Sequence, residues 1–139
     1  LAIACAGFLI AAPVLVLVGL AVGFIPPFHA PSMAPSRVAW TFLLILAATA
    51  LPEEILFRSL IQNWITRKFG ASSRTIAASA LIFGLSHLNN APGTPPNWRY
   101  AIVATIAGYA FGQVFQRSSS VVSSAIVHAL VNTVKKTYF

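Results

Sequence analysis

Charged residues are scarce in this chain of 139 residues, and acidic ones are almost missing. Only 8% of the residues are charged, whereas a soluble domain carries roughly a quarter. Residues 1–25 and 38–52 contain no charge at all. Hydrophobic residues make up 58% of the chain, and several runs approach the ~20 residues that a helix needs to cross a bilayer. The scarcity excludes an ordinary soluble domain and predicts an all-α, polytopic transmembrane helical bundle.

Cysteine is also nearly absent, since Cys5 is the only one. A single cysteine excludes an intrachain disulfide and leaves no second thiolate for a metal site. Basic residues outnumber acidic ones and give a formal net charge of +7, which in a soluble protein would suggest nucleic acid as a partner. Here the lysines and arginines fall near the ends of apolar runs, where lipid headgroups attract cations. We therefore expect the lipid bilayer as a partner and no nucleic acid.

The apolar runs and their breaks predict about five helices. They cover residues 1–25, 38–69, 74–88, 99–116 and 120–136, and two proline-containing loops occupy 26–37 and 89–98. We expect a local distortion at Pro52 and a serine cap on the third helix. Gly108 and Gly112 form a small-xxx-small pair that lets helix backbones approach closely in lipid. The organisation predicted is an N-terminal span with its loop, 1–37, followed by a helical core, 38–139.

Six polar residues of the predicted helices are candidate site residues, since an ionisable side chain in a membrane segment indicates function by default because its burial is costly. They are Glu53, Glu54 and Arg58 on the second helix, His87 at the end of the third, and His128 and Asn132 on the fifth. Glu54 and Arg58 are four residues apart and can pair. His128 and Asn132 have the same spacing, so both project from one face. Three polar stripes avoid lipid best by facing one another around a water-accessible cavity.

The residues allow more than one chemistry. A carboxylate in an apolar cavity can act as a general base toward water, and histidine and asparagine donors can stabilise a tetrahedral oxyanion. The same glutamate, two histidines and asparagine could instead bind zinc, although no H-E-x-x-H motif is present. No G-x-S-x-G context supports a serine nucleophile. Glu54 with Arg58 could also be only a structural ion pair, and Asn132 only a contact between helices.

Three motifs together resemble those of the CPBP family, the CAAX prenyl proteases and bacteriocin-processing proteases that are also called the ABI family. The motifs are E-E-x-x-x-R in PEEILFR, F-x-x-x-H in FGLSH and H-x-x-x-N in HALVN. They occur in this order on successive hydrophobic helices, and the resemblance covers roughly residues 38–136. It implies a helical intramembrane endopeptidase whose substrates are membrane-associated peptides or lipidated proteins, with a prokaryotic cytoplasmic membrane as the expected location.

The resemblance also implies a role for each residue. Glu53 is similar in position to the family's water-activating base, and His87 is similar in position to the histidine that assists this base. His128 and Asn132 match the pair that stabilises the oxyanion, while Glu54 and Arg58 would support the site. Members of the family are often described as metalloproteases, but we favour a mechanism without a cofactor over one with zinc. Family members commonly have about eight helices, so we expect these five to be the core of a longer protein.

Two functions from other classes use the same residues. A non-catalytic bacteriocin self-immunity or scaffold protein could keep the fold and bind a membrane peptide, but it would not need all four of Glu53, His87, His128 and Asn132. A small transporter subunit could use the carboxylates as a proton relay. A relay would distribute acids along several helices, whereas both acids lie here at one level. The endopeptidase is therefore the leading hypothesis.

Overall fold

A computed structural model describes residues 2–31, 33–90 and 94–139 of the chain. Within these ranges the predicted all-helical bundle of five helices is confirmed. The helices are α1 (Ala2–Ala21), α2 (Pro35–Phe69), α3 (Ser73–Leu85), α4 (Trp98–Ser118) and α5 (Val121–Tyr138). Residue 1 of the first predicted span, residue 32 of the first predicted loop and residues 91–93 of the second lie outside the described residues.

The helix ends differ from the predicted ones for local reasons. The first helix stops at Ala21 rather than at residue 25, because Gly23 adopts a positive φ of 66° and turns the chain. The second helix begins three residues earlier than predicted, at Pro35, since a proline fits the first helical turn, where its missing N–H has no partner to lose. Ser72 caps α3 as predicted, by accepting the backbone N–H of Thr75 on its side chain.

The distribution of side chains is that of a membrane protein. In the described part of the chain, α1 and α2 are long and apolar enough to cross a bilayer, and α3 is a shorter apolar helix. Large apolar side chains such as Leu9 and Trp64 are exposed, whereas Glu54, Arg58 and Ser124 are completely buried. Apolar groups outside and charged groups inside suit a hydrocarbon solvent. The chain is therefore a helical membrane bundle.

Helix α2 contains a π-helical segment, with wider turns than an α-helix, on each side of the two glutamates. Residues Leu46–Ala50 and Ile55–Gln62 are π-helical, and the four residues between them, Leu51–Glu54, are α-helical. Pro52 has no N–H to give to an α-helical carbonyl, which accounts for the distortion directly before it. The distortion predicted at Pro52 is confirmed. Such widened turns occur frequently at functional sites, and this pair encloses Glu53 and Glu54.

Small residues let α4 lie close to α3 and α2. A Cβ added at Gly108 would come within 2.9 Å of the Phe83 ring, and one at Gly112 within 2.7 Å of both Gln62 and Ile76. The close approach predicted from the Gly108–Gly112 spacing is thus present. Helix α1 packs across α4 and α5, where Ala11 and Leu15 join the apolar cluster of Phe111 and Val127. The bundle closes around the middle of α2 and the C-terminal end of α3, where the polar side chains lie.

Gly84 marks the tightest of these crossings and provides a test of the fold. A Cβ at this position would lie 1.8 Å from the Thr105 hydroxyl and 2.6 Å from the backbone carbonyl oxygen of Ala101. We expect Gly84→Ala to lower the free energy of unfolding by about 1–3 kcal/mol, the usual penalty for overpacking. Denaturant titration in mild detergent measures the change. Thr105→Ala should not rescue it, because the clash with the Ala101 backbone persists, and a full rescue would contradict the packing described here.

Candidate active site

Glu54 is the centre of a fully buried polar network that joins α2 to α5. Its Oε2 accepts hydrogen bonds from Arg58 Nε, at 2.8 Å, and from the Ser124 hydroxyl. Its Oε1 accepts a hydrogen bond of 3.1 Å from His128 Nδ1. The pairing of Glu54 with Arg58, expected from their spacing, is present. The bond to His128 spans 74 residues of sequence and fixes the orientation of the imidazole.

The guanidinium of Arg58 is buried next to an aromatic ring. Its Cζ lies 5.2 Å from the centroid of Phe83, which favours a cation electrostatically. Neither Nη1 nor Nη2 has a hydrogen-bond partner among the described residues. Glu54 therefore provides the carboxylate that balances this buried charge, and the contacts of the pair with Phe83 and His128 join the middle of α2 to α3 and α5.

Glu53 points away from this network and toward both histidines. Its Oε2 lies 4.0 Å from His87 Nε2 and 4.0 Å from His128 Nε2. These separations are too long for direct hydrogen bonds, which measure about 2.7–3.2 Å. Oε2 is buried and accepts no hydrogen bond from the described residues. One water molecule with bonds of about 2.8 Å fits between the carboxylate and an imidazole at this distance.

Hydrogen bonds to the far nitrogen set which ring atom each histidine presents to Glu53. His87 Nδ1 donates to the carbonyl oxygen of Phe83 at 2.7 Å, since a carbonyl can only accept. His128 Nδ1 donates to Glu54 in the same way. In the neutral rings both Nε2 atoms are therefore acceptors. Aromatic contacts fix the ring planes: His87 lies 4.7 Å from the centroids of Phe83 and Tyr100, and His128 stacks on Phe111 at 4.6 Å.

A cavity of about 80 Å³ lies at these side chains. This volume accommodates several water molecules, since one needs about 10–15 Å³ by the same measure. Its polar lining consists of Thr49, Glu53, His87, Tyr100, His128, Asn132 and Lys135. Most of the remaining wall is apolar and includes Ala12, Leu15 and Val16 of α1. The boundary at residues 37 and 38 stays a prediction, but α1 does contribute to the wall of this cavity.

The six residues singled out from the sequence all lie in the described part of the chain. Contacts connect five of them, from Glu53 and Glu54 to Arg58, His87 and His128. Asn132 lines the same cavity, and its amide makes no hydrogen bond to any described residue. His29 is exposed in the described structure; its ring bonds to the carbonyl oxygen of Ala30, and its backbone N–H donates to the carbonyl oxygen of Tyr138. The catalytic roles themselves stay predictions.

Sequence reasoning missed Ser124, whose hydroxyl contacts both Glu54 and the carbonyl oxygen of Phe111. A signal was present, since Ser124, His128 and Asn132 follow one another at intervals of four and share one face of α5. Lys135 was also missed as a lining residue, because its position near a helix end indicated a headgroup contact.

The geometry is also relevant to metal binding. Zinc holds nitrogen and oxygen ligands at about 2.0–2.1 Å, which places them about 3.4 Å apart in a tetrahedron. The distances from Glu53 Oε2 to the two Nε2 atoms are longer, at 4.0 Å. Within residues 2–31, 33–90 and 94–139, no group of three or more His, Cys, Asp or Glu side chains is arranged to hold a metal ion.

Comparison with known protein families gives one match. The model of the family described as "Type II CAAX prenyl endopeptidase Rce1-like" matches residues 35–134, which covers α2 to α4 and most of α5. The three motif segments on α2, α3 and α5 all lie within this range. Comparison with curated proteins gives no match, and neither does comparison with solved structures.

Proposed function

Because this chain belongs to the type II CAAX prenyl endopeptidase Rce1-like family of membrane proteases, we propose that it hydrolyses peptide bonds with a water molecule activated by Glu53. The substrate class we propose is a membrane-associated peptide or the lipidated tail of a protein. The observation that most directly supports this proposal is the 4.0 Å distance from Glu53 Oε2 to the Nε2 atoms of both His87 and His128, at a cavity with room for water.

The reaction begins with a water molecule between Glu53 and His87. The water donates one hydrogen bond to Glu53 Oε2 and the other to His87 Nε2. This nitrogen is an acceptor because the ring carries its proton on Nδ1, which donates to the carbonyl oxygen of Phe83. Glu53 removes the first proton as the oxygen attacks the carbonyl carbon of the peptide. The tetrahedral intermediate then expels the amine, and the protonated Glu53 returns its proton to that nitrogen. One water is consumed, and a carboxylic acid and an amine leave.

His128 and Asn132 stabilise the oxyanion that forms on the carbonyl oxygen. The side-chain amide of Asn132 lines the cavity and donates no hydrogen bond to any described residue, so its N–H groups are available to the oxyanion. An imidazolium at His128 donates from Nδ1 to Glu54 and from Nε2 to the oxyanion. In that state Glu53 is protonated, and the positive charges of Arg58 and His128 balance the negative charges of Glu54 and the oxyanion. Donors fixed in place before the reaction lower the barrier more than mobile water can.

Glu54, Arg58 and Ser124 are positioning residues in this proposal. They do not line the cavity, and they act through His128, whose ring orientation depends on the carboxylate of Glu54. A metal ion has no part in the proposed steps. Zinc would polarise the carbonyl and activate water if Glu53, His87 and His128 held it, but their 4.0 Å separations are wider than tetrahedral zinc requires.

Cleavage of a fluorogenic prenylated peptide by the purified protein tests the function. We expect His87→Ala and His128→Ala each to lower kcat/KM about a hundredfold or more, the usual effect of removing an acid–base or oxyanion group. His29→Ala is the matched control, since His29 is an exposed histidine outside the site. Wild-type rates in both site variants would contradict the proposal.

Removal of metal ions tests the mechanism separately. We expect a chelator to leave the rate of the wild-type protein unchanged, because protein groups alone activate the water in the proposed steps. Loss of cleavage in chelator that added zinc restores would overturn the metal-free mechanism while keeping the protease function. Dialysis against the chelator followed by metal analysis of the protein controls for slow release of a bound ion.

A further inference from the structure

Lys135 contributes a cation to the wall of the candidate active site. Its side chain lines the same cavity as Glu53, His87 and His128 and is only partly exposed. The ammonium lies 4.1 Å from the centroid of the Phe24 ring and 5.3 Å from that of Tyr100, and these two rings stack on each other at 4.7 Å. The aromatic pair holds the charge at the cavity and does not neutralise it.

Among the described residues, no acidic side chain forms a salt bridge with this lysine. The chain has only two acidic residues, and neither Glu53 nor Glu54 forms a salt bridge with Lys135 in the described structure. The nearby cation Arg99 differs, because it donates to the backbone carbonyl of Gly23. The next residue, Lys136, is exposed and does not line the cavity. Lys135 is thus a cation that faces the substrate cavity and has no acidic partner in the described part of the chain.

The position of Lys135 along α5 sets a distance from the proposed chemistry. Lys135 lies seven positions after His128, which corresponds to about 10 Å along the helix axis and nearly two full turns, so both project from one face. An extended peptide advances about 3.3–3.6 Å per residue, and three residues therefore span about 10 Å. A chain that ends three residues beyond the cleaved bond places its terminal carboxylate at the level of Lys135.

We propose that Lys135 is a specificity-determining residue that binds the free C-terminal carboxylate of the substrate. The inference rests on the proposed function for the location of the cleaved bond. The matched family is described as a CAAX prenyl endopeptidase, and a CAAX sequence at the end of a substrate chain would present its terminal carboxylate as the anion that this cavity lacks.

Equilibrium binding tests this role independently of turnover. The probe is a fluorescent prenylated peptide with its cysteine fourth from the end, prepared as the free acid and as the C-terminal amide. Binding is measured to Glu53→Gln protein so that no cleavage occurs. We expect the acid to bind about tenfold to a hundredfold more tightly than the amide, as for a hydrogen bond to a charged group. Lys135→Met should abolish this preference, Lys135→Arg should keep part of it, and Lys136→Met should leave it intact.

The outcomes separate this inference from the proposed function. Equal binding of acid and amide by protein that retains Lys135, or no binding of either, would overturn the inference without any lysine variant being needed. A preference that survives Lys135→Met would overturn it too. Conversely, a preference for the acid in a protein that never cleaves the peptide would refute the protease and leave the carboxylate site standing.

Discussion

Glu53→Gln is expected to lower kcat for peptide cleavage by about a thousandfold or more. The amide of glutamine keeps the shape of the side chain but cannot take a proton from water, so the step that creates the nucleophile is lost. General bases contribute about 10²–10⁴ to rate, and here the base has no substitute because Glu54 is committed to Arg58, Ser124 and His128. Single-turnover cleavage of a prenylated peptide measures the loss, with KM determined in parallel.

We expect this substitution to remove the base without changing the stability of the fold. Glu53 Oε2 accepts no hydrogen bond from the described residues and the side chain is 31% exposed, so the exchange should leave the thermal unfolding midpoint unchanged. His29→Ala again serves as the matched control for handling of the protein. A glutamine variant that folds normally and cleaves at more than a tenth of the wild-type rate would exclude Glu53 as the base.

Arg58→Met is expected to be the most damaging change to stability. It leaves the carboxylate of Glu54 buried at 0% exposure without its counter-ion. Breaking one half of a buried ion pair costs about 3–5 kcal/mol, because the remaining charge stays desolvated and unpaired. We expect a corresponding drop in the free energy of unfolding, measured by denaturant titration in mild detergent. Cleavage should fall with it, since His128 depends on Glu54 for its orientation.

A double variant distinguishes the charge from the shape of this pair. Glu54→Gln combined with Arg58→Met removes both charges and retains an acceptor for His128 Nδ1. We expect it to recover at least half of the stability lost in Arg58→Met, since exchange of a whole buried ion pair is often nearly neutral. Activity should remain at least tenfold below wild type, because the charge balance around His128 is gone. A double variant no more stable than Arg58→Met alone would show that packing, and not charge, determines the effect.

The helices could be predicted from the sequence because lipid imposes a simple rule on them. Long uncharged runs must be helical in a membrane, and prolines and glycines mark where they end. Pro52 and Ser72 therefore had predictable consequences. The predicted ends of α1 and α2 were less accurate. They depend on the turn at Gly23 and on the fact that a proline, here Pro35, is tolerated in the first turn of a helix.

The site could be predicted only as far as local spacing determines contacts. The spacing of four positions from Glu54 to Arg58 was enough to predict their pairing, and the polar stripes indicated which helices should face each other. The bond from Glu54 to His128 could not be predicted, because it depends on how α2 and α5 are placed across 74 residues. Lys135 was missed for a related reason: lysines near helix ends usually contact headgroups, and only packing places this one against Phe24 and Tyr100.

The two widened segments of α2 have a consequence for how this helix can change in evolution. A π-helical turn holds more residues than an α-helical turn of the same rise. Loss of one residue from Leu46–Ala50 would let ordinary α-helical winding return while Glu53 and Glu54 keep nearly their present direction. The same loss from an α-helical stretch of α2 would rotate both carboxylates by roughly 100° against the preceding part of the helix. The widened segment is therefore the part of α2 that can lose a residue without turning the carboxylates away from the histidines.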